Sequence, residues 1–131
     1  MGDRYSRAVA ATKTPTHSEL AWAAGFYEGE GCATAHGPSS YHPGYPRLEI
    51  VQVQREPLER MQQYFGGAIR SFVPARPNNQ PSHIWRVNGP RAIGVMMTLY
   101  AWLSPRRKDQ FKKVFSAWRS SEGRIPPKRT K

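Results

Sequence analysis

The sequence has a single cysteine, few acidic residues and no long apolar run. Cys32 stands alone among 131 residues, which excludes an internal disulfide framework and is typical of a reducing cytoplasm. No segment approaches the ~18 apolar residues that cross a bilayer, and the N-terminus is too weakly apolar for a signal peptide. The sequence therefore predicts a cytoplasmic protein without a membrane partner.

The shortage of acidic residues leaves a large positive charge. Asp and Glu number 9 against 20 Lys and Arg, so the net charge is +11 and the pI is about 10.4. Such an excess predicts a polyanionic partner, with nucleic acid first and an anionic membrane surface second. The aromatic residues, which include 4 Trp and 6 Tyr, supply anchors for one hydrophobic core.

Composition divides the chain into three parts. Residues 1–15 are interpreted as an irregular N-terminal arm, residues 16–120 as a single folded domain, and residues 121–131 as a flexible basic tail. The tail is rich in Pro, Lys and Arg, so it either contacts phosphates or remains a solvated end.

Local patterns predict the secondary structure of the domain. Thr16 and Glu19 form a T-x-x-E capping box that starts a first helix, which stops near Gly29–Gly31. Gly66–Gly67 closes a second helix, and Ser104 caps the last one. The full prediction is strands over 32–36, 48–54, 68–73 and 83–88, and helices over 57–65, 90–103 and from Pro105 onward. This order is typical of an α+β domain with an antiparallel sheet.

Two groups of large apolar residues are predicted to fill the core. The aromatic members are Trp22, Phe65, Trp85 and Trp102. Near-helical spacing adds Ile93, Met96, Met97, Tyr100 and Leu103.

The first helix carries a stripe of small residues. Ala21, Gly25 and Gly29 lie on one face, although each glycine costs a helix about 1 kcal/mol relative to alanine. Small residues permit close approach of a second helix, and a symmetric homodimer would supply one. Packing of the stripe on the third helix or on the sheet is the alternative.

The same helix ends on two carboxylates. Glu28 and Glu30 stand at a helix C-terminus, where the macrodipole disfavours negative charge by roughly 0.3–1 kcal/mol each. Carboxylate and carbonyl oxygens are ligands for hard divalent cations, so this end is a candidate cation site. Two exposed glutamates at a turn are the alternative interpretation.

Residues 23–31, AAGFYEGEG, resemble the motif of the LAGLIDADG homing endonucleases. Gly25 and Gly31 match its first and last glycines, and Glu28 and Glu30 stand at its acidic positions. The chain departs from the motif by beginning with Ala23 and by using Glu at both acidic positions. The segments 48–69 and 84–111 are similar to the family's later strands and helices. The resemblance spans about residues 18–118 and implies an αββαββα core with a four-stranded antiparallel sheet, here with an extra C-terminal helix.

The resemblance also implies an activity. Members with one motif act as homodimers that make metal-dependent double-strand breaks in DNA at a long pseudo-palindromic site. The motif helices would form the dimer interface, and the implied interface residues are Ala21, Ala24, Gly25, Glu28 and Gly29.

The resemblance assigns roles to individual residues. Glu30 would bind Mg²⁺ or Mn²⁺ with help from the carbonyl of Gly29. Gln54 matches a position that orders water near the scissile phosphate. Arg107, or Lys108 as the alternative, would stabilise charge in the transition state. Base readout from the sheet is assigned to Thr34, His36, Arg47, Glu49, Arg70 and Arg86.

Other functions remain open on the sequence. A non-cleaving nucleic-acid-binding protein of the same fold, either a DNA-binding regulator or a maturase that binds intron RNA, is the first alternative. A basic structural or ribosome-associated protein is the second, and it requires no dimer. The sequence leaves an intron, an intein-derived and a phage origin open, and also an organellar location.

Overall fold

The computed structural model describes residues 7–35, 45–73 and 80–122, and they form an α+β fold. The elements are α1 (His17–Glu30), β1 (Gly31–Ala35), β2 (Pro46–Gln52), α2 (Glu56–Phe65), β3 (Ala68–Phe72), β4 (Ser82–Asn88), α3 (Gly89–Leu99) and α4 (Pro105–Glu122). A single 3₁₀ turn, Tyr100–Trp102, joins α3 to α4. The fold class and the order of elements predicted from the sequence are therefore confirmed. The last helix continues two residues beyond the predicted boundary at 120.

The four strands form one antiparallel sheet in the order β1-β2-β4-β3. Ile50 lies opposite Gly31 on β1 and Trp85 on β4, whereas Glu49 lies opposite Cys32 and Arg86. Side chains alternate between the two faces of a strand, so these two sets occupy opposite faces. The set of Ile50 faces the helices, which we call the inner face, and the set of Glu49 forms the outer face.

The core lies between the inner face of the sheet and the helices. Trp85, Tyr27 and Phe111 are the largest fully buried residues, and the Nε1 atom of Trp85 donates a hydrogen bond of 2.8 Å to the carbonyl of Gly66. The ring centroids of Phe111 and Tyr27 are 5.3 Å apart, so α4 packs directly against α1.

Two residues predicted to be core are exposed. Met97 is 65% exposed because its neighbour Met96 points inward, and consecutive helical residues project about 100° apart. Trp102 is 39% exposed because regular helix ends at Leu99 and the following 3₁₀ turn changes the spacing. The Trp102 ring instead packs against the His17 ring, with centroids 4.9 Å apart and the two planes tilted by 57°.

The predicted capping box starts α1. The backbone N–H of Glu19 donates to the Thr16 hydroxyl at 3.1 Å, and the Glu19 carboxylate accepts from the Thr16 N–H at 2.9 Å. Lys13 adds an ion pair with Glu19 at 2.6 Å, which holds the pKa of that carboxyl at about 2.

The N-terminal arm has little regular structure in residues 7–15, yet it is held against the domain. Val9 and Gly67 exchange two backbone hydrogen bonds of 3.0 and 2.9 Å. Gly66 and Gly67 have φ of +75° and +102°, and a Cβ on Gly66 would approach the Val9 carbonyl to 2.5 Å. The predicted glycine pair thus ends α2, and its lack of side chains lets the backbone of the N-terminal arm approach closely. No helix among the described residues is long and apolar enough to cross a membrane.

Candidate functional site

Helix α1 presents two different faces. Ala23, Ala24 and Tyr27 are buried in the core, whereas Gly25 and Gly29 are exposed. A Cβ atom built on either glycine meets nothing within 4 Å. The stripe of Ala21, Gly25 and Gly29 therefore faces open space and does not pack on α3 or the sheet. This corrects the placement of Ala24, which is 3% exposed and lies on the core side of the helix.

The carboxylate of Glu28 is bound within its own chain. It accepts hydrogen bonds from the backbone N–H of Ser104 at 2.9 Å and from the Ser104 hydroxyl at 2.7 Å. These bonds hold the pKa of Glu28 below its ordinary value of 4.5. Glu28 therefore ties the end of α1 to the start of α4 within one chain, and its place in an interface between two copies stays a prediction.

Arg107 joins the same two helix ends. It is only 8% exposed, its Nε donates to the carbonyl of Glu28 at 3.0 Å, and its Nη1 donates to Oε1 of Gln110 at 3.0 Å. The guanidinium also lies over the Tyr27 ring, 5.3 Å from the centroid. A cation at a helix C-terminus satisfies carbonyls that lack helical partners. These contacts leave little of the Arg107 side chain accessible, and its catalytic role stays a prediction.

Lys108, the alternative cation, lies in a different setting. Its Nζ is 5.5 Å from the centroid of the Tyr100 ring. The side chain therefore packs on the turn between α3 and α4, whereas Arg107 contacts the end of α1.

The last glycine of the 23–31 motif has a packing reason. A Cβ on Gly31 would lie 2.0 Å from the Tyr27 ring, a distance that no side chain tolerates. Gly31 also caps α1, since its N–H donates to the carbonyl of Tyr27. The Tyr27 hydroxyl is buried without a hydrogen-bond partner in the part of the chain that the structure describes, and burial raises the pKa of this phenol.

Glu30 is exposed at the end of α1, immediately before β1. No hydrogen bond or ion pair involves its carboxylate among residues 7–35, 45–73 and 80–122. No cluster of three or more His, Cys, Asp or Glu exists there either. A metal held here by one chain would have Glu30 and helix-end carbonyls such as that of Gly29. This small donor set suits Mg²⁺, which keeps several waters and binds one or two carboxylates together with substrate phosphates.

Gln54 lies just beyond β2, which ends at Gln52 and not at the predicted residue 54. It is exposed in the bend that leads into α2. Gly31 is opposite Ile50, so continuing that register places Glu30 towards the same end of the sheet as Gln54. We call this the α1 end of the sheet.

Most residues predicted to read bases share the outer face. The register pairs Thr34 with Arg47 and Glu49 with Arg86, and Arg70 falls on the same face by alternation. His36 lies outside the described residues. Glu49 and Arg86 form an ion pair, and the Nε of Arg47 donates to Oδ1 of Asn88 at 3.1 Å. Asn88 was not predicted from the sequence, although its spacing of two from Arg86 places it on this face.

Comparison with known proteins finds relatives in structure alone. No family model and no curated protein matches the sequence. The homing endonuclease I-CvuI in complex with its target and calcium superposes with a TM-score of 0.63 at 20% identity, covering 82% of this chain and 69% of that one. I-CvuI in complex with the I-CreI target and magnesium superposes with a TM-score of 0.62 at 21% identity, covering 80% of this chain and 68% of that one. The group I intron-encoded homing endonuclease I-CeuI in complex with DNA superposes with a TM-score of 0.61 at 15% identity, covering 82% of this chain and 57% of that one.

These three structures share the arrangement of helices and sheet described above. The chain spans little more than half the length of I-CeuI and about two thirds of I-CvuI. It has the fold of the LAGLIDADG homing endonucleases, which the resemblance of residues 23–31 implied.

Proposed function

We propose that the chain is a DNA endonuclease that works as a homodimer and makes metal-dependent double-strand breaks at a long pseudo-palindromic site. The observation that carries the proposal is the open stripe of Ala21, Gly25 and Gly29, which leads to the exposed carboxylate of Glu30. Within the homing-endonuclease fold, this combination provides both a surface for a second copy and a metal ligand.

The composition of α1 supports the dimer. Residues 20–27, LAWAAGFY, contain no charged side chain and no polar group apart from the Trp22 indole N–H and the Tyr27 hydroxyl, yet only one side of the helix is covered. A helix that is apolar all round is normally buried on all sides. The exposed glycines allow the backbone of a second helix to approach closely. In a two-fold dimer the two copies of α1 would place their Glu30 residues on either side of the axis.

The outer face of the sheet supports DNA as the substrate. Arg47, Arg70 and Arg86 project from this face, and the whole chain carries a net charge of +11. The major groove admits a two-stranded β-ribbon, and arginine reads guanine there through two hydrogen bonds. Two copies related by a two-fold axis would read two half-sites, which is why we expect a pseudo-palindromic target.

Glu30 from each copy, with the carbonyl of Gly29, would hold Mg²⁺ or Mn²⁺ in this proposal. A bound divalent cation supplies Lewis-acid stabilisation of phosphate charge and lowers the pKa of water. Gln54 would orient the attacking water from the α1 end of the sheet. Arg107 would be a positioning residue, because it fixes the helix end that carries Glu30. Lys108 is the remaining candidate for a cation near the transition state.

A cleavage selection tests the proposal. Purified protein is mixed with a genomic or randomised DNA pool and Mg²⁺ or Mn²⁺, and broken ends are sequenced. We expect defined double-strand breaks from the wild type and from the matched control Glu56→Gln, which removes an exposed acid of α2. Glu30→Gln is expected to bind the same DNA without cutting it. Tight binding without breaks in either metal would contradict the proposal.

A non-cleaving protein of the same fold is the second candidate, as a DNA-binding regulator or an intron maturase. The observation that favours it is Arg107, whose guanidinium is engaged by Glu28, Gln110 and Tyr27 and is nearly inaccessible to substrate. Binding of intron RNA or duplex DNA without nicking would support this candidate. An origin within an intron or a phage mobile element is part of both proposals.

A further inference from the structure

A cleft of about 450 Å³ lies between the N-terminal arm and the sheet. Its lining combines main chain and small apolar residues with polar and cationic side chains: Ala8, Gly67, Ala68, Arg86, Val87, Asn88, Pro90 and Arg91. No residue that lines it is acidic. Of these lining residues the function proposed above uses only Arg86, and it assigns no role to the N-terminal arm.

The cleft lies at the end of the sheet away from Glu30. Ala68 opens β3, and Asn88 closes β4, whereas Glu30 and Gln54 lie at the α1 end. Ala68, Arg86 and Asn88 belong to the outer face by register. Part of the cleft's lining therefore belongs to the face proposed for DNA, in β4 and at the start of β3, the two strands farthest from β1 in the sheet order.

Arg91 is held in a defined position at this cleft. Its Nη1 donates to the carbonyl of Val9 at 2.9 Å, and the residue is otherwise exposed. A guanidinium has several further N–H donors, so most of its hydrogen-bonding capacity stays available. No ion pair involves Arg91 among the described residues. It also stands in the first turn of α3, where the helix dipole disfavours a cation and favours an anion, so an anion bound beside Arg91 would be stabilised by both the guanidinium and the helix end.

The arm supports this arrangement. Val9 is locked to Gly67 by two hydrogen bonds, and the N–H groups of Thr12 and Lys13 both donate to the carbonyl of Gln63. The arm thus forms one wall of the cleft and fixes the carbonyl that orients Arg91. Prior fixation of the guanidinium reduces the entropy lost when an anion binds.

We propose that this cleft binds a backbone phosphate of the DNA at the outer end of each half-site, with Arg91 as the principal contact. The inference rests on the proposed function. A phosphodiester fits better than a base, because the walls are cationic or apolar and Asn88 already accepts from Arg47. Phosphate contacts set the register of a protein on the duplex, so the arm would help to align the sheet with its target.

The first test is the salt dependence of binding to the duplex recovered in the selection. Each phosphate contact contributes about 0.9 to the slope of log K against log salt concentration, so two protomers contribute about 1.8. We expect Arg91→Gln to make the slope shallower by about that amount. Arg91→Lys keeps the charge and should keep the slope. Arg119→Gln removes an exposed cation of α4 and is the control for the loss of charge.

The second test locates the phosphate. Duplexes with one neutral methylphosphonate at each successive position are compared for wild type and Arg91→Gln, after circular dichroism has shown that both are folded. We expect a substitution at the outer end of the half-site to weaken wild-type binding about as much as Arg91→Gln does. The same substitution should leave the affinity of Arg91→Gln unchanged. The two results together would distinguish a specific contact between Arg91 and this phosphate from a general loss of charge.

Two outcomes would overturn the inference, and they can be separated. If the wild type binds and cuts DNA while Arg91→Gln has the wild-type slope, the cleft holds no phosphate although the proposed function stands. If the wild type shows no salt-dependent binding to duplex DNA, the proposed function and this inference fail together.

Discussion

The carboxylate of Glu28 accepts two hydrogen bonds from Ser104, one from its backbone N–H and one from its hydroxyl. The two acidic residues near the end of α1 therefore have different roles. Glu28 is used to attach α1 to α4, whereas Glu30, two residues later, is left exposed. Only one carboxylate of the motif is therefore available to a metal on each chain.

The Glu28–Ser104 contact should appear in the pH dependence of stability. Because the folded-state pKa of Glu28 is lowered below 4.5, its contribution is complete above the unfolded-state pKa and is lost as pH falls through the folded value. We expect Glu28→Gln to cost about 1 kcal/mol at pH 7 and to flatten the loss of stability as the pH falls below the ordinary glutamate pKa of 4.5. Urea denaturation across that range measures both effects. An unaltered pH profile in the variant would refute the assignment.

The open stripe on α1 predicts a variant that separates folding from association. Gly25→Leu places a side chain in open space, so the chain should fold with normal circular dichroism, while close approach of a second helix is blocked. Sedimentation is expected to show a monomer at concentrations where the wild type is dimeric. Gly94→Leu is the matched control, because a Cβ at Gly94 in α3 also meets nothing within 4 Å. Equal association of both variants would contradict the proposed interface.

The contact between Gly31 and Tyr27 predicts a large steric cost. Gly31→Ala would drive a methyl group into the buried Tyr27 ring, and overpacking of this kind typically costs ~1–3 kcal/mol. Gly94→Ala should instead gain up to ~1 kcal/mol from helix propensity. Chemical denaturation of the two variants measures the difference. A neutral effect of Gly31→Ala would show that the ring can move aside.

The unpartnered hydroxyl of Tyr27 predicts a stabilising substitution. A buried polar group without a hydrogen bond costs ~1–3 kcal/mol, so Tyr27→Phe should raise the free energy of unfolding by about 1 kcal/mol. The control is Tyr64→Phe, because the Tyr64 hydroxyl accepts a hydrogen bond of 2.7 Å from Nε of Arg60. That variant should lose stability by a similar amount. Destabilisation by Tyr27→Phe would reveal a partner for its hydroxyl.

Elements that depend on neighbouring residues were predictable. The capping box of Thr16 and Glu19, the Gly66–Gly67 pair and the alternation of residues 47–50 all act within a few positions, so local sequence specifies them. Helix and strand ends were less predictable. β2 ends before Gln54, and α3 gives way to a 3₁₀ turn, because packing decides where regular hydrogen bonding stops.

The sequence by itself determined the order of elements, the positive charge and the small-residue face of α1, since these follow from composition and short-range periodicity. Only the tertiary structure decided which polar groups are free. Glu28 meets Ser104 across 76 positions, and Arg107 reaches the Glu28 carbonyl across 79, so neither pairing is visible in a local pattern. Ala24 faces the core because neighbouring elements cover that side of α1. The side chain of Glu30 remains available because its chain places no partner beside it in the described residues.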